Sequence, residues 1–170
     1  MGLLDRFLSP KSSANTIVQR SISYSWILSN KFAIGPIPKT DEHWQQLDSA
    51  GFRSRFSCCY PEEDIFAKPP AHWLEACVSL PDHRLQENIK IARLNQALLD
   101  AQALIDAQPP TYIHCFAGQE RSALVAVGLI ARSQNIDVLK SLDLVRLCHP
   151  QASPLYADLD ILDSLIRSKN

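Results

Sequence analysis

The stretch from Thr111 to Ala131 constrains the fold most. Thr111-Tyr112-Ile113 is a short apolar strand, His114 to Ser122 is a turn, and Ala123 to Ala131 is an almost wholly apolar helix candidate. A helix that is apolar nearly all round has no face to give to water, so it belongs inside a core. A strand that feeds such a helix needs a sheet covered by helices.

The rest of the chain supplies that sheet. Ser23–Leu28 and Lys31–Ile34 read as short strands joined near Ser29-Asn30, and Gly35-Pro36-Ile37-Pro38 as a turn. Thr40 can cap a helix whose first turn holds Asp41 and Glu42, with Trp44 and Leu47 on one face and Gly51 just past its end. Phe52 to Cys58 is a strand candidate interrupted by Arg53 and Arg55; alternation puts Phe52, Ser54, Phe56 and Cys58 on one face. Glu75 to Leu80 reads as a buried strand stopped by Pro81. Leu85 to Ala107 is the longest helical stretch, with Ile91, Leu94, Leu98, Ala101 and Ile105 on its apolar face and Pro109-Pro110 beyond it. Asp137 can cap a helix with Leu139, Leu142 and Val145 inward; Ser153-Pro154 starts the last, striped by Leu155, Leu159, Leu162 and Ile166. The expected fold is α/β: a single domain over residues 23–170, with a central, mostly parallel sheet of about five strands flanked by helices on both faces. Residues 1–22 read as an N-terminal tail and linker.

Composition narrows the functional classes. The net charge is −1, and aromatic residues do not alternate with Lys and Arg, so nucleic acid is not an expected partner. The five cysteines are odd in number and follow no signal-peptide pattern, which points to free thiols in a reducing, cytoplasmic setting. No CxxC pair occurs, and no metal or cofactor is expected. The opening Met1 to Arg6 has Arg6 where N-myristoylation needs Ser or Thr, and no apolar run reaches the ~20 residues of a membrane span, so stable membrane association is not expected.

The turn itself carries chemistry. Cys115 and Arg121, with five residues between them, stand between a strand and a helix. Backbone N–H groups there lack ladder partners and can converge on an oxyanion, aided by the helix dipole. Gly118 lets the loop curl, and Arg121 offers a planar fork for two phosphate oxygens. The same field favours a Cys115 thiolate placed for in-line attack. Ser122 can donate a hydrogen bond to the sulfur, and His114 is expected to orient the loop through backbone contacts. An acid is also needed for the leaving alcohol. Asp82, just after the strand ending at Leu80, is the best placed; Asp64 is second, and His83 and Glu87 are weaker candidates.

The pattern His114, Cys115, Arg121, Ser122 resembles the His-Cys-x5-Arg-Ser signature of the cysteine-dependent protein tyrosine phosphatase superfamily. Size and layout look like its compact dual-specificity branch. Phe32-Ala33-Ile34-Gly35 is similar to an early strand of that branch, and Arg146–Pro150 and Pro154–Leu165 to its closing helices. The resemblance implies Cys115 as nucleophile, Arg121 as phosphate clamp, Asp82 as acid and later as base, and Ser122 as sulfur partner. Phe116, Ala117, Gly118, Gln119, Glu120 and Arg121 would supply phosphate-binding N–H groups. The implied reaction is metal-independent hydrolysis of phosphotyrosine, with phosphoserine and phosphothreonine as further substrates, through a phosphocysteine.

Two departures stand out. Many relatives carry Gly or Ser at Glu120, and a carboxylate there is unhelpful unless it points outward. A second arginine is usual where this chain has His149. Relatives acting on inositol phospholipids often have Lys in the loop; this loop has none, which disfavours a lipid substrate. The absence of a long N-terminal segment predicts a shallow cleft. Glu62, Glu63 and Asp64 read as a solvated loop, with contact to basic substrate residues as the alternative. Cys58 and Cys59 read as buried small residues, with a protective disulfide to Cys115 as the alternative. A phosphate-binding module without turnover, or thiol chemistry such as arsenate reduction, would use the same cradle.

Overall fold

The computed structural model describes residues 21–85 and 87–168. Residues 1–20 of the expected tail and linker lie outside the described residues. Ten elements follow in chain order: β1 (Ser25–Leu28), β2 (Phe32–Pro36), α1 (Asp41–Ser49), β3 (Ser54–Ser57), β4 (Leu74–Cys77), α2 (Ile91–Ala107), β5 (Thr111–Cys115), α3 (Arg121–Gln134), α4 (Val138–Cys148) and α5 (Tyr156–Arg167). The sheet order is β1-β2-β5-β3-β4; β1 is antiparallel to β2 and the other pairings are parallel. The α/β class, the element order and the five-stranded, mostly parallel sheet agree with the sequence reading.

Alternation along the strands builds two apolar layers. Phe32, Ile34, Phe56 and Ile113 face a core shared with α2, α3, α4 and α5. Ala33 and Tyr112 face the other side, against Trp44 and Leu47 of α1, Phe52 and Trp73. Every residue of α3 from Arg121 to Ala131 is buried, as its composition requires. Its central placement fixes β5 as the middle strand and sets the β5–α3 turn at the carboxyl edge of the sheet.

Several boundaries differ from the sequence expectation. Gly35 and Pro36 continue β2 opposite His114 and Cys115 rather than forming a turn, because parallel pairing with β5 runs to the end of both strands. Phe52 precedes β3 and packs in the α1 layer, so it does not share a face with Phe56. β4 is shorter than expected and mostly exposed, as befits an edge strand. α2 starts at Ile91 and not Leu85; Ile91 is itself exposed, while Leu94, Leu98, Ala101 and Ile105 are buried. In α4 Val138, rather than Leu139, points inward. α5 starts at Tyr156, two residues after Pro154, with Leu155 as its N-cap residue and Leu165 completing the buried stripe. Thr40 and Asp137 do cap their helices, accepting from His43 N at 3.3 Å and Lys140 N at 2.8 Å. Among the described residues no helix is long and apolar enough to cross a membrane.

Candidate active site

Cys115 ends β5 and Arg121 begins α3, so the intervening loop sits at the helix N-terminus. Gly118 is required twice over. Its φ is +78°, and a Cβ there would lie 2.4 Å from Gly35 C and 2.6 Å from Pro36 N. The loop therefore rests directly on the end of β2. Its carbonyls are tied outward: Phe116 O accepts from Ile37 N (3.3 Å), Gln119 O from Ser153 N (2.8 Å), and Glu120 O from Leu124 N (2.9 Å). In a planar trans peptide the N–H opposes the C=O. The N–H groups of Ala117, Glu120 and Arg121 are thereby directed away from these partners at the N-terminus of α3, where backbone N–H groups favour an anion.

Cys115 is buried, with its Sγ 3.4 Å from Ser122 Oγ. A cavity of about 270 Å³ opens over it, lined by Asp82, Arg84, Phe116 and Arg121 among others. His114 lies beneath, fully buried and stacked on Tyr112; its carbonyl accepts from Cys58 N at 2.8 Å. Burial and the nearby Arg55 push its imidazole down to about 3, so it is neutral and moves no protons at working pH. Its part is to pack the base of the loop. His149 sits beside Ser25 (Nδ1 to Oγ 2.9 Å), and burial lowers its pKa, so it supplies no second cation.

Arg121 is the electrostatic centre. Its end-on edge holds the Glu63 carboxylate in a bidentate pair, Nη1 to Oε2 at 2.6 Å and Nη2 to Oε1 at 2.9 Å. Nη1 also reaches the carbonyls of Leu80 (3.3 Å) and Cys58 (3.4 Å). The side-on edge differs. Nη2 is 3.1 Å from Asp82 Oδ2, and Nε is buried without a hydrogen-bond partner. A buried N–H of a charged group left unpaired is costly. The Nε–Nη2 edge can receive two oxygens of a ligand when Asp82 gives up its contact with Nη2.

Asp82 is buried at the same mouth. It accepts from Arg84 N (3.0 Å) and Arg84 Nε (2.9 Å). Burial would raise its carboxyl, but the Arg84 bonds and the charges of Arg121 and Arg84 outweigh it and hold it below its ordinary range. Glu63 is held low in the same way: burial opposes, while bonds from Arg121, Tyr60 N and Arg84 prevail. Glu120, the adverse residue of the sequence, lines the same cavity, but its carboxylate is taken up by His83. Its carboxylate accepts from His83 N (2.8 Å) and pairs with His83 Nδ1 (2.6 Å), tying the phosphate loop to the loop of Asp82. His83 is thereby a strut, and Asp64 is spent on buried Arg55 (2.6 Å). Glu87 is exposed and lines a 450 Å³ cavity with Tyr60, Glu62, Glu63 and Leu85, which shares Asp82, Arg84 and Arg121 with the cavity over Cys115.

The sequence reading thus brings Cys115, Arg121, Asp82 and Ser122 together and misses two residues. Glu63 was read as solvated but clamps Arg121. Arg84 was not singled out but clamps Asp82. A signal existed for both, since each follows the carboxyl end of a parallel strand, where ligand sites collect. Cys58 and Cys59 are buried, and burial raises both thiols, Cys59 to about 12.

No protein-family model and no curated protein matches the sequence. Solved structures do match the coordinates. PTPMT1, solved in complex with PI(5)P, is 18% identical, with a TM-score of 0.72 over 85% of this chain and 95% of that one. The human tyrosine phosphatase-like serine/threonine/tyrosine-interacting protein is 17% identical, with a TM-score of 0.71 over 86% and 97%. Human DUSP28 is 17% identical, with a TM-score of 0.67 over 85% and 96%. The chain has the compact cysteine-dependent phosphatase fold. The β5–α3 turn and the Asp82 loop of this chain line one cavity with Cys115. Almost the whole length of each solved chain is spanned, so the likeness is to the complete compact domain.

Proposed function

We propose that residues 23–170 form a metal-independent phosphomonoester hydrolase working through a phosphocysteine. The observation that carries this reading is the split use of Arg121: Glu63 fixes one edge, and on the other Nε has no hydrogen-bond partner while Nη2 meets Asp82, beside the cavity that Cys115 lines. A phosphate on that edge and on the loop N–H groups lies over Sγ. The Sγ–P bond then forms as the P–O bond to the alcohol breaks, and the alcohol leaves with a proton from Asp82. In the second step water attacks phosphorus, Asp82 takes its proton, and the thiolate departs with a hydrogen bond from Ser122. Asp82 is ionised at rest, so its proton must be taken up as the phosphate dianion arrives and cancels the field of Arg121.

The small cavity over Cys115 supports phosphotyrosine and also phosphoserine or phosphothreonine on proteins as substrates, in a reducing, cytoplasmic setting that fits five free cysteines. An inositol phospholipid is the alternative substrate suggested by the PI(5)P complex of PTPMT1. The loop residues Phe116, Ala117, Gln119 and Glu120 include no lysine to hold a second phosphate. The test is turnover of para-nitrophenyl phosphate in the presence of a chelator. Release of nitrophenol that vanishes in Cys115→Ser supports the reading. Activity that survives Cys115→Ser, or that the chelator abolishes, contradicts it.

A further inference from the structure

Arg84 lies two residues beyond the proposed acid, yet its contacts are those of a clamp. Its backbone N–H donates to Asp82 Oδ1 at 3.0 Å and its Nε to Oδ2 at 2.9 Å, while Nη2 bridges Asp82 Oδ2 and Glu63 Oε1. Its guanidinium lies 5.3 Å from the centre of the Phe116 ring, so the phosphate loop holds it from a third side. The side chain is 50% exposed, while the Asp82 side chain it grips is 6% exposed. We propose that Arg84 is the positioning residue for Asp82: it holds the acid at the mouth of the phosphate seat and gives it a cationic partner besides Arg121. This assignment rests on the phosphatase activity proposed above.

Four further groups surround Asp82 or its cavity. Arg121 approaches it from α3, with Nη2 3.1 Å from Oδ2. Glu63 reaches it only through the two arginines, from the loop after β3. Cys115 lies in the same cavity at the end of β5, and His83 is turned to Glu120. Asp82 therefore has two cations, and one of them, Arg121, is the one a phosphate must take. When the substrate occupies the Nε–Nη2 edge, Asp82 must give up its contact there, and Arg84 is its remaining cationic partner. Without Arg84 the carboxylate has only Arg121 to pair with, and it then competes with the substrate for the same edge. With Arg84 it keeps a cationic partner when the substrate takes that edge, and it stays close to where the leaving oxygen will be. A second consequence concerns protons. A cation fixed on the acid sets the pH at which it loses its proton, and hence the basic limb of the rate profile.

Arg84→Met tests this, read on two aryl phosphates and in two backgrounds. General acid assistance counts most for a poor leaving group, so phenyl phosphate should lose about tenfold or more in kcat and para-nitrophenyl phosphate much less. The basic limb of kcat/KM should move to higher pH, Arg84→Lys should restore part of the loss, and in an Asp82→Asn background Arg84→Met should cost nothing further. Equal losses on both substrates, or a full additional loss on top of Asp82→Asn, overturn the assignment. Carbon-detected titration of the Asp82 carboxyl gives a readout independent of turnover: its midpoint should rise in Arg84→Met, and an unchanged midpoint overturns the assignment. An inactive wild-type protein would contradict the phosphatase reading alone, and the titration would still decide the role of Arg84.

Discussion

Arg121 has donors on two edges: Glu63 takes one, and on the other Asp82 meets Nη2 while Nε stays unpaired. Its side chain is 3% exposed, so its charge has little water to call on, and Glu63 is the partner that compensates it. Cutting Glu63 to alanine leaves that charge under-paired. Glu63→Ala should cost about 2–3 kcal/mol of stability, as the breaking of a buried pair does, read as a lowered urea midpoint at unchanged slope. The proposed acid makes a separate prediction. Asp82→Asn should lower kcat by about a hundredfold or more while phosphate or vanadate still binds, because Arg121 and the loop N–H groups that would hold the oxyanion are untouched but no proton can be delivered. Vanadate affinity measured by competition checks the second half. Residue identity made Cys115 and Arg121 legible from spacing alone. The roles of Glu63 and Arg84 were not, because nothing local to Pro61-Glu62-Glu63 or to Pro81-Asp82-His83-Arg84 says that the two loops meet across the carboxyl edge of the sheet. Glu120 shows the same limit. Its spacing marks it as adverse, and only the fold puts His83 beside it.

At the scale of elements, the phosphate loop is shaped by what it rests on. Gly118 touches the backbone of Gly35 and Pro36, and Gly35 in turn would clash with the Tyr112 hydroxyl if it carried a Cβ (2.4 Å). That hydroxyl donates to Pro36 O at 2.6 Å, locking β2 to β5 just below the loop. Gly118→Ala should therefore leave helix content intact but lift the loop and reduce kcat/KM by about a hundredfold, since misplacing the cradle by about 1 Å costs that much. Circular dichroism with kinetics on the same sample separates this from unfolding. Helix existence was well read because the 3.6-residue period survives local detail. Helix starts were not. Leu85 to Lys90 carries residues compatible with a helix, but Leu85 N is bonded to Asp82 O and Ile89 is drawn into the core, so the chain turns before α2 begins. Arg55 looked like a flaw in β3. It is buried between Asp64, Glu75 and the Trp44 ring, a set of partners that only the tertiary fold assembles.

Across the whole molecule, the pairing of the site with its scaffold has a pH signature. Asp158, in the first turn of α5, is buried, and burial, with the charge of Glu120, raises its carboxyl to about 6. In the unfolded chain it ionises near ~3.9. The unfolded state therefore gives up its proton first, and stability is lost as pH rises from about 4 to about 6. Asp158→Asn should remove that penalty, raising stability by about 1–3 kcal/mol at pH 7.5 and by nothing near pH 3.5. Glu63 and Asp82, held low by arginines, act in the opposite sense: the stability they contribute is present above their unfolded values and is lost as pH falls below them. Urea melts at the two pH values check both signs. The α/β architecture was legible because one all-apolar helix behind a short strand allows few alternatives; the sheet order was not, because β3 and β5 become neighbours only when α2 crosses between them. The central claim is that Cys115 takes the phosphoryl group. Rapid quench of enzyme mixed with para-nitrophenyl phosphate, followed by peptide mass spectrometry, tests it directly. The account predicts a phosphoryl group on Cys115 that accumulates in Asp82→Asn and is absent in Cys115→Ser. Nitrophenol release with Cys115 never modified would contradict it.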